Sequence, residues 1–283
     1  MEKPVTQIYC AVDIGMTNID ILVETEKSLE RRMLSNQHRS AVDQLRQALA
    51  AVQGQLDPGI VVGVTGGRYR DLPGEVDGFK IHRVDEMQAL GLGGLALAEL
   101  EEGLVVSAGT GAAMVAARLS GIEHVTGSAV GGGTLLGLSK LILKTDDVEE
   151  IDQLALAGDA SAVDIMLSEA VGGEVGRLPA NANAVNLGKL DRNSDFSREN
   201  LAAGLVRLVA QVIAVIAINA ANSSSLEAII MVGHLMDLHS IRKEVNLVGE
   251  FYQKTFIVPE NPGYGTVRGV LEVIKQDRPA ITM

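Results

Sequence analysis

Three glycine-centred segments carry residue types suited to gripping a phosphate. They are Asp13-Ile14-Gly15-Met16-Thr17, Ser107-Ala108-Gly109-Thr110-Gly111 and Gly131-Gly132-Gly133-Thr134. Glycine lets the backbone approach an anion closely and present successive N–H groups to it. Thr17 adds a hydroxyl. Asp13 adds an oxygen ligand for Mg²⁺, direct or through water, because Mg²⁺ prefers oxygen and keeps part of its hydration shell. An ordinary hairpin turn also uses Asp and Gly, so the first segment alone leaves both readings open. Residues 131–134 run straight into the apolar Leu135-Leu136-Gly137-Leu138. That places their amides at the positive end of a helix dipole, a natural anion site, and sets the segment apart from a flexible linker. Taken in order, the three read as a clamp for nucleotide phosphates built from two similar halves, with ATP the expected guest.

A fourth position with chemical reach is Asp85-Glu86, at a strand-to-helix junction between the first two glycine loops. A carboxylate there can take the proton of an attacking hydroxyl. It can equally serve as an acidic pair at a helix N-terminus, and position alone leaves both open. His234 follows Gly233 at a strand end, where it can line a nucleotide pocket, whereas His38 and His82 read as surface or loop residues. The chain has no HExxH and no CxxC. No GxGxxG follows its first strand and no GxxxxGK[ST] occurs, which excludes dinucleotide-fold and P-loop readings at the level of motif.

The elements that must position these residues follow from hydrophobic spacing. Residues 8–12 and 19–23 form a hairpin around the first segment. Residues 40–53 are helical, with Val42, Leu45, Leu49 and Val52 on one face. Strands follow at 59–64 and 79–84, a helix at 85–100, and strands at 104–107 and 114–118. Helices are expected at 135–143, 148–157, 160–170 and 197–221, the last with Ser197 as N-cap. Residues 172–194 read as a loop excursion, 228–232 and 256–258 as strands, and 263–274 as a closing helix. Strands alternating with helices give α/β. The expected division is an N-terminal lobe at 1–120 and a C-terminal lobe at 121–283.

Composition narrows the partners. The net charge is −12, which argues against a general nucleic-acid binder with its basic face. Only Cys10 is present, so no intrachain disulfide forms; a buried thiol in a reducing, cytoplasmic setting is expected. Residues 1–7 lack the basic region and apolar stretch of a signal peptide. Residues 201–221 are the most apolar segment, but Arg207, Gln211 and Asn219 interrupt it. A buried or dimer-face helix therefore fits better than a membrane span.

The run from His124 through Val-Thr-Gly-Ser-Ala-Val-Gly-Gly-Gly-Thr-Leu-Leu-Gly to Leu138 resembles type II pantothenate kinases, the fumble-like family of the actin-like and sugar-kinase ATPase superfamily. The similarity extends in order through residues 13–17, 85–86, 107–111, 157–159, 231–234 and 263–269. It implies an α/β fold of two duplicated ribonuclease-H-like lobes that binds ATP and Mg²⁺. It implies phosphorylation of a small alcohol, with pantothenate giving 4′-phosphopantothenate for coenzyme A biosynthesis. It makes Glu86 the catalytic base and gives Asp13, Gly15 and Thr17 the first phosphate loop. It places Thr110, Gly111 and His124 at the acceptor, and Gly109, Gly131, Gly132, Gly133, Thr134 and Gly233 at the nucleotide. It also implies a homodimer formed through the helix at 201–221. The chain departs from the family at Met16, where Gly is usual, at Asp20 for Lys, at His124 for the Arg that grips the pantothenate carboxylate, and at Ala113 for Ser or Thr. A different small acceptor on the same scaffold, or an ATPase acting on a protein partner, stands beside the pantothenate reading.

Overall fold

The computed structural model describes residues 8–37, 40–57, 59–191 and 196–276. His38 and residues 1–7 lie outside them. The chain forms two compact units. Unit 1 comprises Met1–Glu101, Ala117–Glu123 and Tyr264–Met283; unit 2 comprises Glu102–Ala116 and His124–Gly263. The division therefore differs from the single break expected near residue 120. The second glycine loop belongs to unit 2, and the final helix returns to unit 1, where it packs on the first sheet.

Unit 1 is built on β1 (Tyr9–Ile14), β2 (Asn18–Glu24), β3 (Leu29–Ser35), α1 (Ala41–Val52), β4 (Val61–Gly66), β5 (Glu75–Val76), β6 (Phe79–Arg83) and α2 (Glu86–Ala98). Its sheet runs β3-β2-β1-β4-β6-β5. The pairs β1–β2 and β2–β3 are antiparallel, whereas β1–β4 and β4–β6 are parallel. Alternation along the strands divides the side chains between two faces. Cys10, Val12, Ile14, Ile19 and Ile21 pack with Leu45, Leu49 and Val52 of α1. Burial there pushes the Cys10 thiol up to about 12, so it is an inert core group. Ala11 and Leu22 point to the other face and meet Ala89 of α2 together with Val267, Val270, Leu271 and Ile274.

Unit 2 contains β7 (Gly103–Ala108), β8 (Ala112–Arg118), β9 (Gly121–Ser128), α3 (Gly132–Ile142), α4 (Val148–Ala157), β10 (Ile165–Met166), α5 (Leu167–Ala170), β11 (Asn183–Val185), α6 (Arg198–Ser223), β12 (Ile229–Val232), α7 (His239–Tyr252) and β13 (Phe256–Ile257). The tip of the β8–β9 hairpin, residues 117–123, groups with unit 1, as does the final helix α8 (Gly265–Gln276). The second sheet runs β13-β12-β7-β8-β9, with β12 parallel to both β7 and β13. Reading β7, β8, β9, β12 and β13 as counterparts of β1, β2, β3, β4 and β6 reproduces the order of the first sheet. The duplication is thus explicit in the topology. A matching detail supports it. Gly66 ends β4 at φ +109°, and a Cβ there would lie 2.2 Å from the Ile14 carbonyl oxygen. Gly233 follows β12 at φ +97°, and its Cβ would lie 2.4 Å from the Ala108 carbonyl oxygen.

The segment expected as one helix over 160–170 is broken into a short turn at Ala160–Ala162, then β10, then α5. Asp159 caps the turn through the Ser161 amide at 2.9 Å. Asp164, fully buried, accepts from the Leu187 amide at 2.7 Å and pairs with Arg207. These tertiary bonds hold the backbone out of a helix. Arg207 also binds Glu244 at 2.8 Å, which explains a cation inside the apolar α6. That helix is long and apolar enough to cross a membrane by length and composition, yet 61% of its most apolar window is buried in the chain's own core.

Helices α2 and α8 meet backbone to backbone. A Cβ on Gly269 would lie 1.7 Å from the Ala89 carbonyl oxygen, and one on Gly93 would lie 1.8 Å from that of Gly265. Forcing atoms into such a contact costs about 1–3 kcal/mol or more. Gly269→Ala should therefore lower Tm by at least about 2 °C, while Gly74→Ala, at a position with open space around it, should leave Tm near wild type. Differential scanning calorimetry of the two variants checks this.

Candidate active site

In unit 1, Asp13 stands opposite Asp20 in the β1–β2 register and beside Thr65 in the β1–β4 register. All three share the sheet face that α2 and α8 cover, because they alternate in step with Ala11 and Leu22. Thr65 is fully buried and donates its hydroxyl to the Val84 carbonyl at 2.9 Å. Asp20 is buried and Asp13 half-buried. The described residues contain no group of three side chains that could hold a metal ion. One or two carboxylates nonetheless suit Mg²⁺, which takes its remaining ligands from phosphate and water.

The β1–β2 turn is braced from outside. Asn36 donates its side-chain amide to the Gly15 carbonyl at 2.6 Å and its backbone N–H to Thr17 O at 2.8 Å. Gln44 in turn holds the Asn36 side-chain oxygen at 2.7 Å. A Cβ on Gly15 would come within 2.9 Å of Asn18 O, so the turn closes only around glycine. Met16 is 70% exposed, and its bulk projects into solvent.

Of the acidic pair, Asp85 takes the helix-capping role. Asp85 is the N-cap of α2: its Oδ1 accepts from the amides of Met87 at 3.0 Å and Gln88 at 3.2 Å. Its other oxygen receives the Tyr69 hydroxyl at 3.1 Å and Arg70 Nη2 at 3.3 Å. Glu86 is the first helical residue and half-buried. Burial raises its pKa, the neighbouring Asp85 carboxylate raises it further, and Arg70 opposes both. A carboxylate shifted upward is a stronger base when ionised. Tyr69 and Arg70 carry one signal in the sequence, a basic pair, Arg68 and Arg70, directly after Gly66-Gly67.

In unit 2, the second and third glycine segments dock on each other. The Gly132 amide donates to Gly109 O at 2.8 Å and the Gly133 amide to Thr110 O at 2.9 Å. The Gly131 amide reaches Thr134 Oγ1 at 3.3 Å. A Cβ on Gly131 would lie 2.7 Å from both Gly111 Cα and Thr110 O, so no other residue allows this approach. The first two amides of α3 are thus held by the β7–β8 loop. What the triple glycine contributes in this conformation is closeness, with the half-buried Thr110 and Gly111 presented at the loop tip. Gly233 joins the same group against Ala108, and a Cβ on Gly132 would sit 3.8 Å from Leu235. This cluster lies at the carboxyl ends of β7 and β12, where open α/β sheets hold ligands. His234 is held by Asp237 at 2.8 Å, and Gly263 packs against its ring. His124 stands exposed on β9, the outer strand of the sheet, and Ala113 is half-buried on β8.

Two solved structures share this fold over most of the chain. The activator of 2-hydroxyisocaproyl-CoA dehydratase from Clostridium difficile with bound ADPNP matches with a TM-score of 0.63 and 15% identity, over 98% of this chain and 100% of that one. A ROK family glucokinase from Streptomyces griseus in complex with glucose and AMPPNP matches at 0.58 and 14%, over 95% and 100%. The fold is that of the actin-like ATPases, as expected. The family model described as Fumble matches residues 103–257, more than half of the 283-residue chain. The chain belongs to the Fumble family. A type II pantothenate kinase of Oceanobacillus iheyensis is 25% identical over 228 residues, covering 78% of this chain and 82% of the relative.

The division of labour at α2 has a thermodynamic signature. Removing an N-cap costs about 1 kcal/mol, so Asp85→Ala should lower Tm. Glu86 has a raised folded-state pKa, so its contribution to stability is largest below its unfolded pKa and is lost as pH rises through the folded value. Glu86→Gln should therefore leave Tm at pH 7–8 equal to or above wild type. Thermal melts of both variants check the contrast.

Proposed function

We propose that this protein transfers the γ-phosphoryl group of ATP to the primary hydroxyl of pantothenate, forming 4′-phosphopantothenate for coenzyme A biosynthesis. The observation that carries the reading is the Fumble match together with the pantothenate kinase relative, which spans most of both chains. The site chemistry agrees with it. Glu86, with Asp85 occupied in capping, is the base that orients the acceptor hydroxyl and takes its proton. The transferred group forms a bond to the acceptor oxygen as the bond to the β-phosphate oxygen breaks, and ADP leaves with the electron pair. Positioning and charge stabilisation are most of what this reaction requires.

In unit 1, Asp13 holds Mg²⁺, with Gly15 and Thr17 meeting the phosphates. In unit 2, Gly109, Gly131, Gly132, Gly133, Thr134 and Gly233 shape the nucleotide site, and Thr110, Gly111 and His124 face the acceptor. Bound Mg²⁺ supplies charge neutralisation on the phosphates. A neutral imidazole replaces only part of a bidentate Arg fork, so His124 gives a looser hold on a carboxylate. The half-buried Leu208, Val212, Val215 and Ile216 on α6 suit a homodimer face, and the absence of paired cysteines suits the cytoplasm.

The test is Glu86→Gln in steady-state kinetics with pantothenate. Loss of a general base costs about 10²- to 10⁴-fold in rate, so kcat should fall in that range while MgATP affinity by calorimetry stays unchanged. In wild type, kcat/KM should fall on the acid side with an apparent pKa above the ordinary Glu value of about 4.3, because the shift of Glu86 is upward. A variant with near-normal turnover would remove Glu86 from the chemistry.

A further inference from the structure

The face of unit 1 that carries Glu86 is rich in carboxylates. Asp13, Asp20, Asp85 and Glu86 lie on β1, β2 and the start of α2, yet residues 8–24 and 86–98 contain no Lys or Arg. Helix α8, packed on the same face, commits its cations elsewhere: Arg268 binds Glu272 at 2.7 Å and Lys275 binds Glu24. A bound nucleotide adds further negative charge. The chain that follows Gly66-Gly67 brings one guanidinium to the helix start. Arg70 lies over the Tyr69 ring at 5.0 Å and reaches Asp85 at 3.3 Å. Its side chain is 77% exposed, and an ion pair that open is worth little, so the guanidinium can turn to a better partner.

We propose that Arg70 is a catalytic residue that contacts the transferring phosphoryl group beside Glu86. The inference rests on the phosphotransferase reading above and adds to it a residue that the family resemblance does not supply. Attack requires the acceptor oxygen and phosphorus about 3–3.5 Å apart. A hydroxyl held by Glu86 therefore brings the phosphoryl within reach of a side chain that already touches Asp85, its neighbour in sequence. During transfer the alcohol oxygen bonds to phosphorus, the bond from phosphorus to the β-phosphate oxygen breaks, the proton passes to Glu86, and ADP carries off the electron pair. The planar fork of Arg70 matches the oxygens on which charge gathers. The Arg70 charge also opposes the upward shift of the Glu86 carboxyl, in keeping with its place at the helix start.

Two measurements on Arg70→Ala and Arg70→Lys test this. The first is affinity for Mg·ADP with aluminium fluoride, a mimic of the phosphoryl in flight that needs no acceptor turnover. The second is kcat for pantothenate, with and without added guanidinium chloride at low millimolar levels. We expect Arg70→Ala to weaken aluminium fluoride binding and lower kcat by about 10²- to 10³-fold, the range for removing one preorganised charge donor. Mg·ADP affinity should stay unchanged, guanidinium should restore part of kcat, and Arg70→Lys should fall between. Asp85 retains its cap in both variants, so a purely structural role would show neither guanidinium rescue nor selective loss of the mimic. Aluminium fluoride affinity within threefold of wild type would overturn the inference. Absence of pantothenate turnover in wild type, with aluminium fluoride binding still dependent on Arg70, would overturn the acceptor reading alone.

Discussion

Each unit turns on one backbone contact: the end of its first strand is pressed against a glycine that terminates the neighbouring parallel strand. Ile14 meets Gly66 in unit 1 and Ala108 meets Gly233 in unit 2, and neither contact leaves room for a Cβ. The turns that follow, Gly15–Thr17 and Gly109–Gly111, are held in place by what surrounds those strand ends. Asn36 braces the first, and the start of α3 braces the second through two amide-to-carbonyl bonds. The glycines thus do structural work before any ligand arrives. They fix where small, polar loop residues stand, and a rigid frame of this kind is what phosphoryl transfer by positioning demands.

Much of this was legible in the sequence. The glycine segments, the opening hairpin, the buried face of α1 and the long α6 follow from apolar spacing and turn residues. Strands β3 and β9 were not legible, because their side chains are largely exposed and charged or polar, as in Leu29–Ser35 with Glu30, Arg31 and Arg32. They form by pairing with β2 and β8, and pairing leaves no period in the sequence. The break at 160–170 depends on Asp164 meeting Arg207 and the Leu187 amide, partners tens of residues away. Local propensity favoured a helix, and tertiary hydrogen bonds prevailed.

The candidate site shows the same limit. Asp85 and Glu86 are adjacent and both acidic, so only the hydrogen bonds to Met87 and Gln88 tell which of the two caps the helix. Likewise, the triple glycine reads as a row of amide donors from sequence, yet the amides of Gly132 and Gly133 are already donated to carbonyls. Its lasting contribution is proximity. Asp20, read as a charge reversal, lies buried opposite Asp13, a placement that only strand register reveals.

The frame serves phosphoryl transfer to pantothenate. The direct measurement is ³¹P NMR of the purified protein with MgATP and pantothenate. A phosphomonoester resonance should grow at the same rate as the signals of ADP, with neither appearing when pantothenate is withheld. ADP and inorganic phosphate formed at equal rates with and without pantothenate, and no phosphomonoester, would contradict it.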